Sequence, residues 1–124
     1  HEADPRFDLN LNRNEPNRFG WVVEIDPTDP HSMPIKRTAM GRFKHESAML
    51  VVGRDRKVAF YMGDDERNDY VYKFVCARKL GPFGRKSDRD MLDAGTLYVA
   101  RFHANGTGEW LPLVHGQGGL TAEN

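Results

Sequence analysis

Two short polar clusters carry the residue types that hold metal ions and phosphate. Gly41-Arg42-Phe43-Lys44-His45-Glu46 precedes an apolar run, and Gly63-Asp64-Asp65-Glu66-Arg67 follows another. Hard cations such as calcium take several oxygen ligands, usually carboxylates from more than one loop, and phosphate esters need cations fixed beside them. Glu46, Asp64 and Asp65 are therefore the candidate metal ligands, and Lys44 is a candidate phosphate contact. Residues two apart in an extended segment point the same way, so Lys44 and Glu46 share a face while His45 takes the other. A second cation, Arg101, stands between Ala100 and Phe102, where a charge needs a partner or faces solvent on an edge.

Each of these has an ordinary reading beside the chemical one. Asp-Asp-Glu after a glycine is commonly a solvated turn, and the run lacks the spaced acids and central glycine of a helix–loop–helix calcium loop. Lys44 and Glu46 could form a surface ion pair of little energetic value. His31, His103 and His115 lie in turns without metal-ligand spacing. Cys76, inside an apolar strand, reads as a small core residue and not as a nucleophile.

The elements that must position these residues read as strands. Phe19–Asp26 is aromatic and β-branched and is stopped by Pro27-Thr28-Asp29-Pro30. A second strand is expected within Ile35–Met40, and Ala48–Val52 and Val58–Met62 form a hairpin around Gly53-Arg54-Asp55. Tyr70–Cys76 alternates in the strand manner. Thr96–Phe102 and Gly108–Leu113 flank His103-Ala104-Asn105-Gly106-Thr107, whose Asn-Gly pair is a strong hairpin signal. Ser87–Asp93 supplies a short helical excursion, with Ser87 as N-cap and Gly95 as stop. Short strands spaced by turns, with no long helical period, give an all-β antiparallel fold: a sandwich, a barrel or a propeller. Residues 1–18 are polar and read as a connecting loop, and residues 19–124 as part of a single domain.

Composition bounds the function. The 124 residues suffice for one domain or part of one. Apolar residues make up 39% and charged residues 29%, which excludes a disordered tail. The 18 Lys and Arg balance the 18 Asp and Glu, so no overall field draws the chain to nucleic acid, and any charge-dependent function is local. A single cysteine excludes an internal disulfide framework and a cysteine-rich zinc site. No apolar run approaches the roughly 18 residues of a membrane span. The chain begins at His1 without an initiator Met or signal peptide, and both ends are loop-like. The expectation is an internal piece of a larger protein that exposes sheet edges, through which it could self-associate.

Four segments, in order, resemble the PhoX-type alkaline phosphatases. They are Asn17–Pro27, Gly41–Glu46, Tyr61–Phe74 and Gly95–Phe102. The resemblance covers most of the chain and implies about two blades of a β-propeller. It implies a calcium- and iron-dependent phosphomonoesterase, periplasmic or secreted, that releases inorganic phosphate from phosphate monoesters. In that pattern Glu46 corresponds to a carboxylate ligand of the metal cluster, and the basic residue two before it contacts phosphate, as Arg101 would. Here that basic residue is Lys44, which keeps the charge of the family's arginine but loses its bidentate fork. The iron-ligating cysteine and its adjoining acidic pair fall upstream of His1, and further calcium ligands fall beyond Asn124, so Cys76 takes no iron role. The implied chemistry is neutralisation of the phosphate and activation of the attacking oxygen by several cations, with little or no turnover from this piece alone. The alternative from a different class is a non-catalytic propeller or sandwich segment that binds a protein or glycan.

Overall fold

The computed structural model describes residues 18–82 and 88–122. Its order is β1 (Val23–Glu24), β2 (Ile35–Lys36), a 3-10 turn at Thr38–Met40, then β3 (His45–Val52), β4 (Lys57–Asp64) and β5 (Val71–Lys79). A second 3-10 turn follows at Met91–Asp93, then β6 (Gly95–Phe102) and β7 (Gly108–Pro112). Strands β3 to β7 form one antiparallel meander in the order β3-β4-β5-β6-β7, and β1 pairs with β2 as a separate ribbon. The all-β antiparallel class with a short helical excursion is thus the observed one. The loop expected at the N-terminus lies, but for Arg18, outside the described residues, as does Ser87.

The turns follow from their residues. Between β3 and β4 the Gly53 N–H donates to Lys57 O at 2.8 Å, and Asp55 accepts from the Lys57 N–H at 3.2 Å. Between β6 and β7 the His103 N–H donates to Thr107 O at 2.8 Å, and Gly106 takes φ +83, a left-handed position natural to glycine. Asn105 Oδ1 accepts from the Thr107 N–H and hydroxyl at 3.0 and 2.7 Å, closing the tip.

The first two expected strands are shorter than their composition suggests, because the backbone bonds go elsewhere. Gly20 O accepts from the Phe43 N–H and Val22 O from the Arg37 N–H, leaving only Val23 and Glu24 to pair with Lys36 and Ile35. After Lys36 the chain turns into a 3-10 segment that buries Met40.

The core lies on one face of β4, β5 and β6. Val58 and Met62 on β4, Phe74 and Cys76 on β5, and Met40 and Met91 from the two 3-10 turns are buried together. Phe74 is wholly buried, a burial worth about 2–3 kcal/mol. Opposite Cys76 in register stands Gly95, where a Cβ would lie 2.4 Å from both Phe74 Cζ and Val75 O. Only glycine fits there.

One charge enters this core. Arg37 is 1% exposed, its Nε donates to Glu24 Oε2 and its Nη1 to Asp93 Oδ1, each at 2.8 Å, and its Nη2 donates to Arg89 O at 2.5 Å. It pins the β1 ribbon and the second 3-10 turn to the sheet. Its pKa is raised, chiefly by the Glu24 hydrogen bond.

The opposite face of the sheet is open. Met49, Val51, Tyr61, Val71 and Phe102 are exposed there, and Leu50 and Val52 are exposed on the other side of β3.

Candidate functional site

All five candidate residues stand at one end of the meander. That end is made by the start of β3, the end of β4, the start of β5, the end of β6 and the start of β7. The register places Glu46 opposite Gly63 and His45 opposite Asp64. Glu46 and Asp64 are therefore close neighbours on adjacent strands, about 5 Å apart laterally.

Their side chains diverge. Glu46 is exposed and lies over Gly63, whose position for a Cβ is 3.7 Å from Glu46 Cβ. Asp64 shares the face of His45 and Tyr72, and its charge acts on both. Its Oδ1 accepts the Glu66 N–H at 3.0 Å, closing the turn between β4 and β5. The Asp65 N–H donates to Lys44 O at 2.9 Å, which ties this acidic turn to the entry of β3.

Lys44 sits at the apex of a tight turn closed by the His45 N–H on Phe43 O at 3.0 Å. Alternation is broken again at Ser47, whose φ of +63 marks a bulge between Glu46 and Met49, and this bulge sets His45 and not Glu46 opposite Asp64. The Lys44 ammonium is partly buried and pairs with Glu66, whose carboxyl is held below the usual range by that hydrogen bond first and by the Arg67 N–H next.

Gly41 sets up this turn. At φ +87 it adopts a conformation that side chains rarely take, and a Cβ would meet Leu97 Cδ2 at 2.7 Å. Its carbonyl accepts from His45 Nε2 at 3.1 Å, which makes Nε2 the protonated nitrogen and leaves Nδ1 as a lone pair. That Nδ1 is buried with no partner among the described residues. The ring stacks on Phe43 at 3.6 Å between centroids, and Phe43 stacks on Tyr72 at 4.3 Å. Burial lowers the His45 pKa, against the opposing pull of the Gly41 carbonyl and Asp64.

Arg101 stands on β6 opposite Glu109 of β7. Its Nε donates to Glu109 Oε1 at 2.9 Å, and His103 Nε2 approaches the same oxygen at 3.1 Å. The ladder places Arg101 level with His45 and Asp64, three strand spacings or roughly 14 Å from β3. The fold thus brings Lys44 and Arg101 to one rim but gives each a carboxylate partner of its own.

No three His, Cys, Asp or Glu among the described residues come together in a way that could hold an ion. Calcium takes 6 to 8 oxygens, and these residues do not supply such a shell. Glu46, Asp64 and Asp65 each offer carboxylate oxygens at this rim, and of these Asp64 Oδ1 also accepts the Glu66 N–H. Cys76 is buried among core residues and its thiol pKa is pushed up by that burial.

Two arrangements escaped the sequence reading. One is the Arg37 cluster, whose only local signal is a charge beside Ala39 and Met40. The other is Lys73, with Nζ 4.4 Å from the Trp110 ring centroid and 5.2 Å from that of Tyr98. Strand alternation alone puts Lys73 on the face away from Phe74.

Comparison with known proteins places this geometry. A search of curated proteins finds no significant match. Among solved structures, Pseudomonas fluorescens PhoX in complex with vanadate, a transition state analogue, is 53% identical, with a TM-score of 0.88. The match covers 99% of this chain and 23% of that one, so the chain spans about a quarter of that neighbour's length. The family model described as alkaline phosphatase PhoX matches residues 2–124, and with nearly the whole sequence inside that match the chain belongs to the PhoX family.

Proposed function

We propose that this chain is part of a metal-dependent alkaline phosphatase that releases inorganic phosphate from phosphate monoesters, and that it contributes one rim of the active site. The observation that carries this reading is the 53% identity over 99% of the chain to a protein bound to vanadate as a transition state analogue. Part of a β-propeller, about two blades by the resemblance, is consistent with the antiparallel five-stranded meander and the separate two-stranded ribbon.

Within that reading Lys44 and Arg101 bind the phosphoryl oxygens, and Glu46 offers a carboxylate to a cation. Calcium and iron are the metals the resemblance points to, and their remaining ligands come from outside these residues. Both cations now face Glu66 and Glu109, so phosphate binding exchanges a carboxylate partner for a phosphate one. That exchange is favourable for a dianion held by two fixed cations. Asp64 and Asp65 are further carboxylates for the cation, and they also shape the turn that supports Lys44, Asp65 through its backbone N–H. Export to the periplasm belongs to the same proposal. No described helix is long and apolar enough to cross a membrane.

The test is steady-state kinetics of the full-length enzyme on a phosphomonoester. Lys44→Ala should raise KM, and Lys44→Arg should retain activity. Unchanged kinetics in the alanine variant removes Lys44 from the site.

A further inference from the structure

We infer that the open face of the meander is an interface to another part of the same longer polypeptide, and that the surface covering it carries an aspartate or glutamate opposite Lys73. The inference rests on the reading of this chain as one part of a PhoX-type protein.

The middle of this face is apolar around one cation, with Glu46 and Lys57 toward its two ends. Tyr61 and Trp110 meet edge to face at 5.9 Å, and the Lys73 ammonium lies over the rings of Trp110 and Tyr98. Met49, Val51, Val71 and Phe102 extend the patch, with Met49 64% and Phe102 76% exposed. Soluble proteins rarely leave so continuous an apolar surface open to water.

Lys73 differs from four paired cations of the sheet. Lys44 pairs with Glu66, Arg78 with Asp90, Lys79 with Asp55 and Arg101 with Glu109. Lys73 has only ring contacts among the described residues, and burial already lowers its pKa. A purely apolar cover would strip water from an ammonium left without an acceptor, which is unfavourable. A facing carboxylate removes that cost and fixes the position of the cover, while the aromatic rings supply the surrounding apolar contact.

The occupant is intramolecular because the matching neighbour is far longer: this chain accounts for 23% of it. The remaining polypeptide supplies the surface.

The experiment uses the full-length protein. An amine-acylating reagent should modify Lys73 at least about tenfold more slowly than the exposed Lys57, which lies at the opposite end of the sheet. A carbodiimide should join Lys73 to an aspartate or glutamate of the same polypeptide outside these 124 residues, read by peptide mass spectrometry. Acylation of Lys73 as fast as Lys57 overturns the inference. So does protection without a carboxylate cross-link, or a cross-link to a second copy in a mixture of isotopically labelled and unlabelled protein. A protein that shows the protection and the intramolecular cross-link but hydrolyses no phosphomonoester refutes the catalytic reading and supports this one.

Discussion

Replacing Arg37 tests whether the buried cation or its carboxylates set the stability of the ribbon contact. The guanidinium is 1% exposed, whereas the side chains of Glu24 and Asp93 are 42% and 55% exposed. Arg37→Met removes the buried charge and fills most of its volume with an apolar chain. The two carboxylates then rehydrate, and the main loss is the donor to Arg89 O, so the cost should be about 1–2 kcal/mol. Glu24→Ala combined with Asp93→Ala does the reverse. It leaves the cation in the core with a single carbonyl partner, and breaking a buried pair from that side costs about 3–5 kcal/mol. Urea denaturation followed by tryptophan fluorescence should therefore rank the double carboxylate variant below Arg37→Met by at least about 1 kcal/mol, or roughly 4 °C in Tm for a domain of this size. If Arg37→Met is as damaging as the double variant, the cation is not the costly member of the cluster and the reasoning fails.

Further outcomes follow from the same geometry. Gly95→Ala should destabilise by about 2–3 kcal/mol, because its Cβ meets the Val75 carbonyl, which cannot rotate aside; Gly106→Ala, with nothing within 4 Å, should cost only about 1 kcal/mol in thermal denaturation. Cys76 should react with a disulfide reagent only after denaturant is added, and fast labelling of the native protein would contradict its placement in the core. Glu66→Gln releases the carboxylate that holds Lys44, so in the full-length enzyme KM for a phosphomonoester should fall, and a rise would show that Glu66 positions Lys44 for substrate. The Lys44–Glu66 attraction should also depend on pH in a fixed direction. The Glu66 pKa is depressed in the folded protein, so the contribution is present above the ordinary glutamate pKa and is lost as pH falls through the folded value, which is measurable by carboxyl NMR titration.

The strands of the meander were legible because their alternation is local. Lys57–Asp64 and Val71–Lys79 each extend an expected run by two or three residues at an end, where backbone pairing continues beyond the apolar side chains. The Asn105-Gly106 hairpin was readable for the same reason, since its turn chemistry is contained within five residues. The Phe19–Asp26 segment was not, because β composition does not reveal that Gly20 and Val22 give their carbonyls to Phe43 and Arg37. At the rim, sequence order was enough to bring Glu46 beside Asp64, as a hairpin fixes its register. It could not show that Asp64 stands opposite His45, which follows from the bulge at Ser47, or that Lys44 sits on a turn closed by the His45 N–H. The Arg37 cluster joins residues 13 and 56 positions apart, and no local pattern encodes such a pairing.

The central claim is that this rim serves phosphate ester hydrolysis, and the most direct measurement is inorganic phosphate release by the full-length enzyme carrying Glu46→Gln. Glutamine keeps the size of the side chain and removes the charge that a cation would require. Loss of a residue that only supports a metal ligand commonly lowers activity about 10–100-fold, so loss of a ligand should lower kcat by at least that much, with the circular dichroism of the folded protein unchanged. Wild-type turnover by a folded Glu46→Gln enzyme would contradict the account.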